Sequence, residues 1–168
     1  MKKSFVLRYV PKKLTKKDKK KQANMILKSR RLYKQKKYFT RKKLPSFHSK
    51  TSKHVINAKK LYKVEKIGAT DELAKKTRCS KKTLAKIINK GEGAYFSSGS
   101  RPNQTGASWG IARLASAITG GKASAVDYSI LEKGCHSRSR ALQMEKKAKK
   151  KYGYGTRRVP KIKINIEK

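Results

Sequence analysis

The side chains of this sequence that could carry out chemistry are few, and they do not fall into a catalytic order. Ser98, Ser100, Arg101, Trp109, Asp127, Tyr128, Cys135 and His136 supply hydroxyls, a guanidinium, a carboxylate, a thiol and an imidazole. Neither their order nor their spacing sets a nucleophile beside a base and an orienting acid. Cys135 and His136 are neighbours, but Cys79 is the only other cysteine and no further ligand stands at useful spacing, so no metal site is expected. Asp127 borders the face of Ala123 and Ile130, which suits a structural ion pair with Arg101 or Arg113 better than a catalytic base. These observations point to a protein that is not an enzyme and uses no cofactor.

What remains is the chemistry of charge. Ser97, Ser98, Ser100 and Arg101 surround Gly99 in a loop where successive backbone N–H groups could converge on an anion. Arg101 suits bidentate pairing with a phosphate or a carboxylate. The loop lacks the Gly-Lys-Ser/Thr ending of a nucleotide-binding loop and is no dinucleotide fingerprint. A second set, Ser80, Lys81, Lys82 and Lys86, opens a short helix. A third set is spread over the chain's two ends: Arg30, Arg31, Lys42 and Lys43 on one side, and Tyr152, Tyr154, Arg157 and Arg158 on the other. The two tyrosines alternate with glycines and could stack on bases.

Forty-eight Lys and Arg against nine Asp and Glu give a formal charge of +39 over 168 residues. Such a density of like charge needs a polyanion or an acidic protein surface to neutralise it. Between Lys2 and Lys63 the only acidic residue is Asp18, and this one-sided balance favours an anion-contacting arm. No stretch approaches 18 apolar residues, so no membrane span is expected. Cys79 and Cys135 are read as reduced thiols of an intracellular protein.

The elements that must position these groups are mainly helical. Gly91 to Glu132 lacks the strong positive balance of the rest and holds the only tryptophan. Three parts follow: a basic N-terminal arm with one helix and a linker over 1–53, a compact helical core over 54–135, and a basic C-terminal arm over 136–168. In the first, Thr15 and Asp18 mark a helix start, and Phe39, Leu44 and Phe47 are the apolar anchors of a linker. In the core, Ser52, Thr70 and Ser80 cap successive helices, with Gly91 as the stop of the third.

Glu72 to Ile88 resembles a helix-turn-helix, with Arg78 where such turns usually place Gly. Its lysines suit backbone contact better than base reading. Ser108 opens a helix to Ile118 that carries Trp109 and Leu114. After Gly120 and Gly121, one helix over Lys122 to Leu131 is expected to turn Ala123, Val126 and Ile130 inward. Trp109, Leu114, Ile118, Val126 and Ile130 are the expected core. In the last part, Val159 to Ile166 alternates isoleucine with lysine, as an edge strand or a strand added to a partner's sheet would.

The segment KGEGAYFSSGSRPNQTGASWGIARLASAITGGKASAVDYSILEKGC, Lys90 to Cys135, resembles a small uncharacterised domain of large double-stranded DNA viruses of eukaryotes and some tailed phages. The likeness extends upstream through YFTRKKLPSF and the two short helices. No activity is established for those proteins, so no catalytic residue carries over. The resemblance implies a virion, at the inner side of the capsid, with the host nucleus or cytoplasm during assembly. In that setting the sequence suggests a minor capsid or internal virion structural protein, its basic arms anchoring or cementing acidic surfaces of larger capsid subunits. The alternative is a viral DNA-binding or genome-condensing protein that contacts packaged double-stranded DNA.

Overall fold

In the N-terminal Lys-rich segment a hydroxyl cap fixes where the long helix starts. The Thr15 hydroxyl accepts the Asp18 N–H at 3.2 Å and starts α1, Lys16–Lys34. In this computed structural model, which describes residues 1–153 and 159–166, the remaining elements follow in order. They are β1 (Lys2–Val6) before α1, then α2 (Lys53–Tyr62), α3 (Asp71–Thr77), α4 (Lys81–Ser97) and α5 (Gly106–Ile118). After these come α6 (Lys122–Val126), α7 (Tyr128–Gly134), α8 (Arg140–Tyr152) and β2 (Lys161–Asn165). The protein is mainly α with one small antiparallel sheet, the class expected from its sequence.

The chain divides into two compact units, and their boundaries differ from the three parts drawn from composition. Among the described residues the first unit takes 1–50, 92–106 and 159–166. Here β1 pairs antiparallel with β2, Lys2 opposite Asn165 and Val6 opposite Lys161. The C-terminal strand therefore finds its partner within the chain. Phe5, Tyr9, Val10 and Leu14 are buried with Ala23, Met25 and Ile26 of α1, so the basic helix hides its apolar stripe.

The linker anchors Leu44 and Phe47 are buried as well. Asn103 holds their backbone: its Oδ1 accepts the Leu44 N–H at 2.6 Å, and its Nδ2 donates to the carbonyls of Leu44 at 3.3 Å and Phe47 at 2.7 Å. Asp18, the lone acid of this region, accepts the Ser46 N–H at 3.0 Å and the Ser46 hydroxyl. A segment that composition marks as an arm is thus tied down through its few polar and apolar anchors.

The second unit takes 51–91 and 107–153 among the described residues. Its core gathers Leu73, Leu84, Ile87, Leu114, Ile118 and Leu131, all without exposed surface, with Ala141 and Leu142 of α8. The Tyr62 hydroxyl donates to the Ile118 carbonyl inside that core. Ser139 caps α8 by accepting the Leu142 N–H at 3.1 Å, so the start of the expected C-terminal arm is a packed helix.

Two expectations need correction here. Helix α4 does not stop at Gly91 but continues to Ser97. Gly91 instead lets α5 approach, since a Cβ on it would stand 2.6 Å from the Gly110 Cα. The helix expected over Lys122 to Leu131 is also broken, because α6 ends at Val126 and α7 starts at Tyr128. The break turns Asp127 inward with no exposed surface and leaves Val126 44% exposed, so Val126 is not a core residue. Leu114 and Ile118 are fully buried, whereas Ile130 and Trp109 are partly so.

Candidate nucleic-acid interface

Helices α3 and α4 form the helix-turn-helix-like pair, and each start is capped by a hydroxyl. Thr70 Oγ1 accepts the Leu73 N–H at 3.1 Å, and Ser80 Oγ accepts the Thr83 N–H at 3.1 Å. Between them Arg78 takes the left-handed conformation, φ 56° and ψ 33°, that such turns usually give to glycine. An adjoining segment holds it there. His136 N–H donates to the Arg78 carbonyl at 2.8 Å, and Ser80 N–H donates to the Gly134 carbonyl at 2.9 Å.

Between these two hydrogen bonds Cys79 and Cys135 face each other in an antiparallel bridge and form a disulfide. The expectation of two reduced thiols is therefore corrected. It rested on cysteine number and an assumed compartment, and neither reveals that a turn after α3 and the end of α7 run side by side.

This clamp brings the first turns of α4 against α7 and opens a groove of ≈ 390 Å³ between them. Three ammonium groups line it, Lys82, Lys86 and Lys133, together with three hydroxyls, Ser80, Thr83 and Ser129. Lys82 and Lys86 are four residues apart on α4, as are Ser129 and Lys133 on α7, so each pair shares a helix face. No carboxylate lines the groove, and none of the three lysines is ion-paired with a described residue. The N-terminal end of α4 adds its partial positive charge.

Helix α7 can come so close because of Gly134: a Cβ there would lie 2.6 Å from the Cβ of Thr83 and 2.7 Å from its Cγ2. Lys81, also expected at the site, points elsewhere and pairs with Asp71 at 3.1 Å on the surface. The sequence pointed to Lys82 and Lys86 but not to Ser129 and Lys133. Their i, i+4 spacing was visible, but the proximity of α7 was not.

The Ser/Gly-rich loop belongs to the first unit and is held by bonds to α4, α1 and the linker. The N–H groups of Ser98 and Gly99 both donate to the Ala94 carbonyl, at 2.9 and 3.1 Å, closing α4. Ser97 and Ser98 are exposed, and the Ser98 carbonyl accepts Arg30 Nε at 2.8 Å. Ser100 is buried; its hydroxyl accepts Arg41 Nη2 at 2.8 Å and donates to the Arg101 carbonyl at 2.8 Å. Arg101 itself is exposed.

The residue that organises the loop is Arg41, which no sequence pattern singled out. Its Nη1 donates to Ser29 Oγ at 3.1 Å and the Tyr95 carbonyl at 2.9 Å, and its guanidinium carbon lies 3.8 Å from the Tyr95 ring centroid. Burial pushes its pKa below the ordinary arginine value, because the cation has left water for neutral acceptors.

Asp127 is the ion-pair partner of Arg113, with Nε to Oδ2 at 2.9 Å and Nη2 to Oδ1 at 2.8 Å. Lys90 Nζ adds a third interaction at 3.1 Å. Three cationic donors on one fully buried carboxylate make a structural anchor. Of the remaining basic candidates, Arg31, Lys42 and Lys43 are exposed on the first unit, and Tyr152 is half-buried at the end of α8. Tyr154, Arg157 and Arg158 lie outside the described residues. Among the described residues no group of three or more His, Cys, Asp or Glu could hold a metal ion. No described helix is long and apolar enough to cross a membrane.

The architecture is that of a mainly helical protein with a short two-stranded sheet and a lysine groove on a helix-turn-helix-like pair. Over residues 7–133 the chain matches a family of unknown function (DUF5824), and it belongs to that family. The matched span contains all six polar groove residues and stops short of α8 and β2. No curated protein and no solved structure matches the chain.

Proposed function

We propose that this protein is a non-enzymatic DNA-binding protein that grips the phosphate backbone of double-stranded DNA through the groove between α4 and α7. The observation that carries this reading is the convergence of Lys82, Lys86 and Lys133 with three hydroxyls in one carboxylate-free groove. Lysine and hydroxyl donors fit phosphate oxygens at any sequence, so the binding is independent of base order. The net charge of +39 supplies the long-range attraction, and the groove supplies a fixed register. On the viral likeness of Lys90 to Cys135, the duplex is the packaged genome at the inner side of a capsid.

The test is duplex affinity by fluorescence anisotropy across a salt series. Replacing Lys82, Lys86 and Lys133 together by Ala lowers the steepness of log K against log salt by about 0.9 for each phosphate that the groove no longer neutralises. Replacing the exposed α8 lysines Lys146, Lys147 and Lys150 serves as the charge-matched control. Equal slopes for the two triple variants would sink the groove reading.

A second reading, a minor capsid protein that anchors larger subunits, is favoured by the sheet. With only β1 and β2 present among the described residues, the outer edge of β2 has no strand partner and could extend a partner's sheet. Crosslinks from Lys161 and Lys163 to capsid subunits in intact virions would support it.

A further inference from the structure

The first unit carries a surface feature that the duplex reading leaves unused. Helix α1 ends at Lys34; two residues on, Lys36 takes the left-handed region at φ 57°, and the N–H groups of Lys36 and Lys37 donate back to the carbonyls of Tyr33 and Leu32, each at 2.9 Å. This tight reversal sets Tyr38 beside Tyr33. Their ring centroids are 6.1 Å apart at an interplanar angle of 63°, and Tyr38 continues to Phe96 at 5.2 Å and 60°. The rings hold one another edge to face, yet Tyr38 is 70% exposed and Tyr33 is 37% exposed. An apolar cluster of this kind left in water is unusual unless something covers it.

What surrounds it in the chain is basic. Arg31, Lys34 and Lys37 are all exposed on the same helix end. The described acids of this unit are Asp18, occupied by Ser46, and Glu92. Exposed aromatic rings with cations close by in the chain match a ligand that offers both a planar ring and a phosphate.

We propose that Tyr33, Tyr38 and Phe96 form a stacking platform for an unpaired base of single-stranded nucleic acid, with Arg31, Lys34 and Lys37 taking the adjoining phosphates. A duplex keeps its base faces covered by their neighbours, so this site discriminates for unpaired strands where the α4 groove does not. The neighbouring rings restrict the Tyr38 side chain before binding, which lowers the entropic cost of stacking.

The experiment compares a short oligothymidylate with an abasic deoxyribose-phosphate strand of the same length, both labelled, on the full-length protein by anisotropy. The base-bearing strand is expected to bind about tenfold tighter, in line with the usual worth of one stacked base. Tyr38→Ala abolishes that difference, and Tyr38→Phe retains it. Equal affinity for the two strands on the unaltered protein overturns the proposal without reference to any variant. So does a base preference that survives Tyr38→Ala, and so does cover by an acidic peptide that competes equally well with both strands. Duplex binding is read in parallel; its loss in the Lys82, Lys86 and Lys133 variant bears on the groove alone, so the two readings fail separately.

Discussion

Glu145 offers the most demanding test of the packing described here. It lies on α8 with no exposed surface, and neither carboxylate oxygen has a hydrogen-bond partner among the described residues. Ser124 Oγ on α6 is buried without a partner too. Burial, helped by the negative charges of Glu132 and Asp127 and opposed by Lys146 and Lys149, raises the Glu145 pKa from 4.5 to about 8. At neutral pH the folded protein therefore holds this carboxyl protonated, whereas the unfolded chain has released the proton.

The sign follows from that difference. As pH rises from about 4.5, the unfolded state binds fewer protons than the folded one, so stability falls by about 1.4 kcal/mol per pH unit until the folded group also ionises near pH 8. The loss totals about 3–5 kcal/mol, a large share of the roughly 5–15 kcal/mol that holds an ordinary domain together. Glu145→Gln keeps the shape and removes the titration. In urea melts followed by circular dichroism, the variant is expected to gain on the parent progressively between about pH 5 and pH 8 and then to hold a constant lead. Asp18 does not confuse the comparison. Hydrogen bonds from Ser46 lower its pKa, so its contribution is present above the ordinary carboxylate range and is lost only as pH falls below it, alike in both proteins. Parallel stability curves for parent and Glu145→Gln would refute the buried, unpartnered carboxyl.

Three further outcomes are expected. Gly134→Ala pushes a methyl into Thr83, and rotation about χ1 cannot relieve a clash that includes the Thr83 Cβ; thermal melts should show a loss of about 1–3 kcal/mol. Reduction of Cys79–Cys135, whose partners are 56 residues apart, releases a loop whose closure is worth about 4 kcal/mol in the chain-entropy account. The unfolding midpoint should fall with added dithiothreitol and stay put in a Cys79→Ser, Cys135→Ser protein. Arg113→Ala leaves Asp127 with Lys90 alone and should cost about 3–5 kcal/mol in denaturant melts, with Asp127→Asn in the same background recovering part of it.

Local signals in the sequence proved dependable where the chemistry is local. Thr15, Thr70 and Ser80 each cap the helix they precede, because a hydroxyl and a backbone N–H three residues on need little further to meet, whereas Ser52, also expected as a cap, makes no side-chain hydrogen bond at the start of α2. The α3–α4 pair was legible for the same reason, although the left-handed geometry that Arg78 takes there was not, since a residue other than glycine was expected to alter the turn. Long-range pairings were not. Nothing in the alternation of Ile162 and Ile164 says that Phe5 and Lys3 lie opposite them, nor does cysteine count say that Cys79 meets Cys135.

Val126 shows how one residue upsets a periodic reading. Asp127 turns inward to meet Arg113, the helix breaks there, and the phase on which Val126 counted as internal no longer holds. Composition misled most over residues 1–50. Lysine density marked an arm made of one helix and a linker, whereas Asp18, Arg41 and a handful of buried apolar side chains tie it into a compact unit.

The disulfide also decides how the chain answers to mechanical load. Tension applied at the two ends reaches Cys79 from one side and Cys135 from the other, then crosses directly between them. The chain between them, from α4 to α7 over a sequence separation of 56, is excluded from the force path, which withholds about 190 Å of extended chain from any pull. A machine that threads this polypeptide through a narrow pore would meet a doubled strand at Cys79 and stall until the bond is reduced.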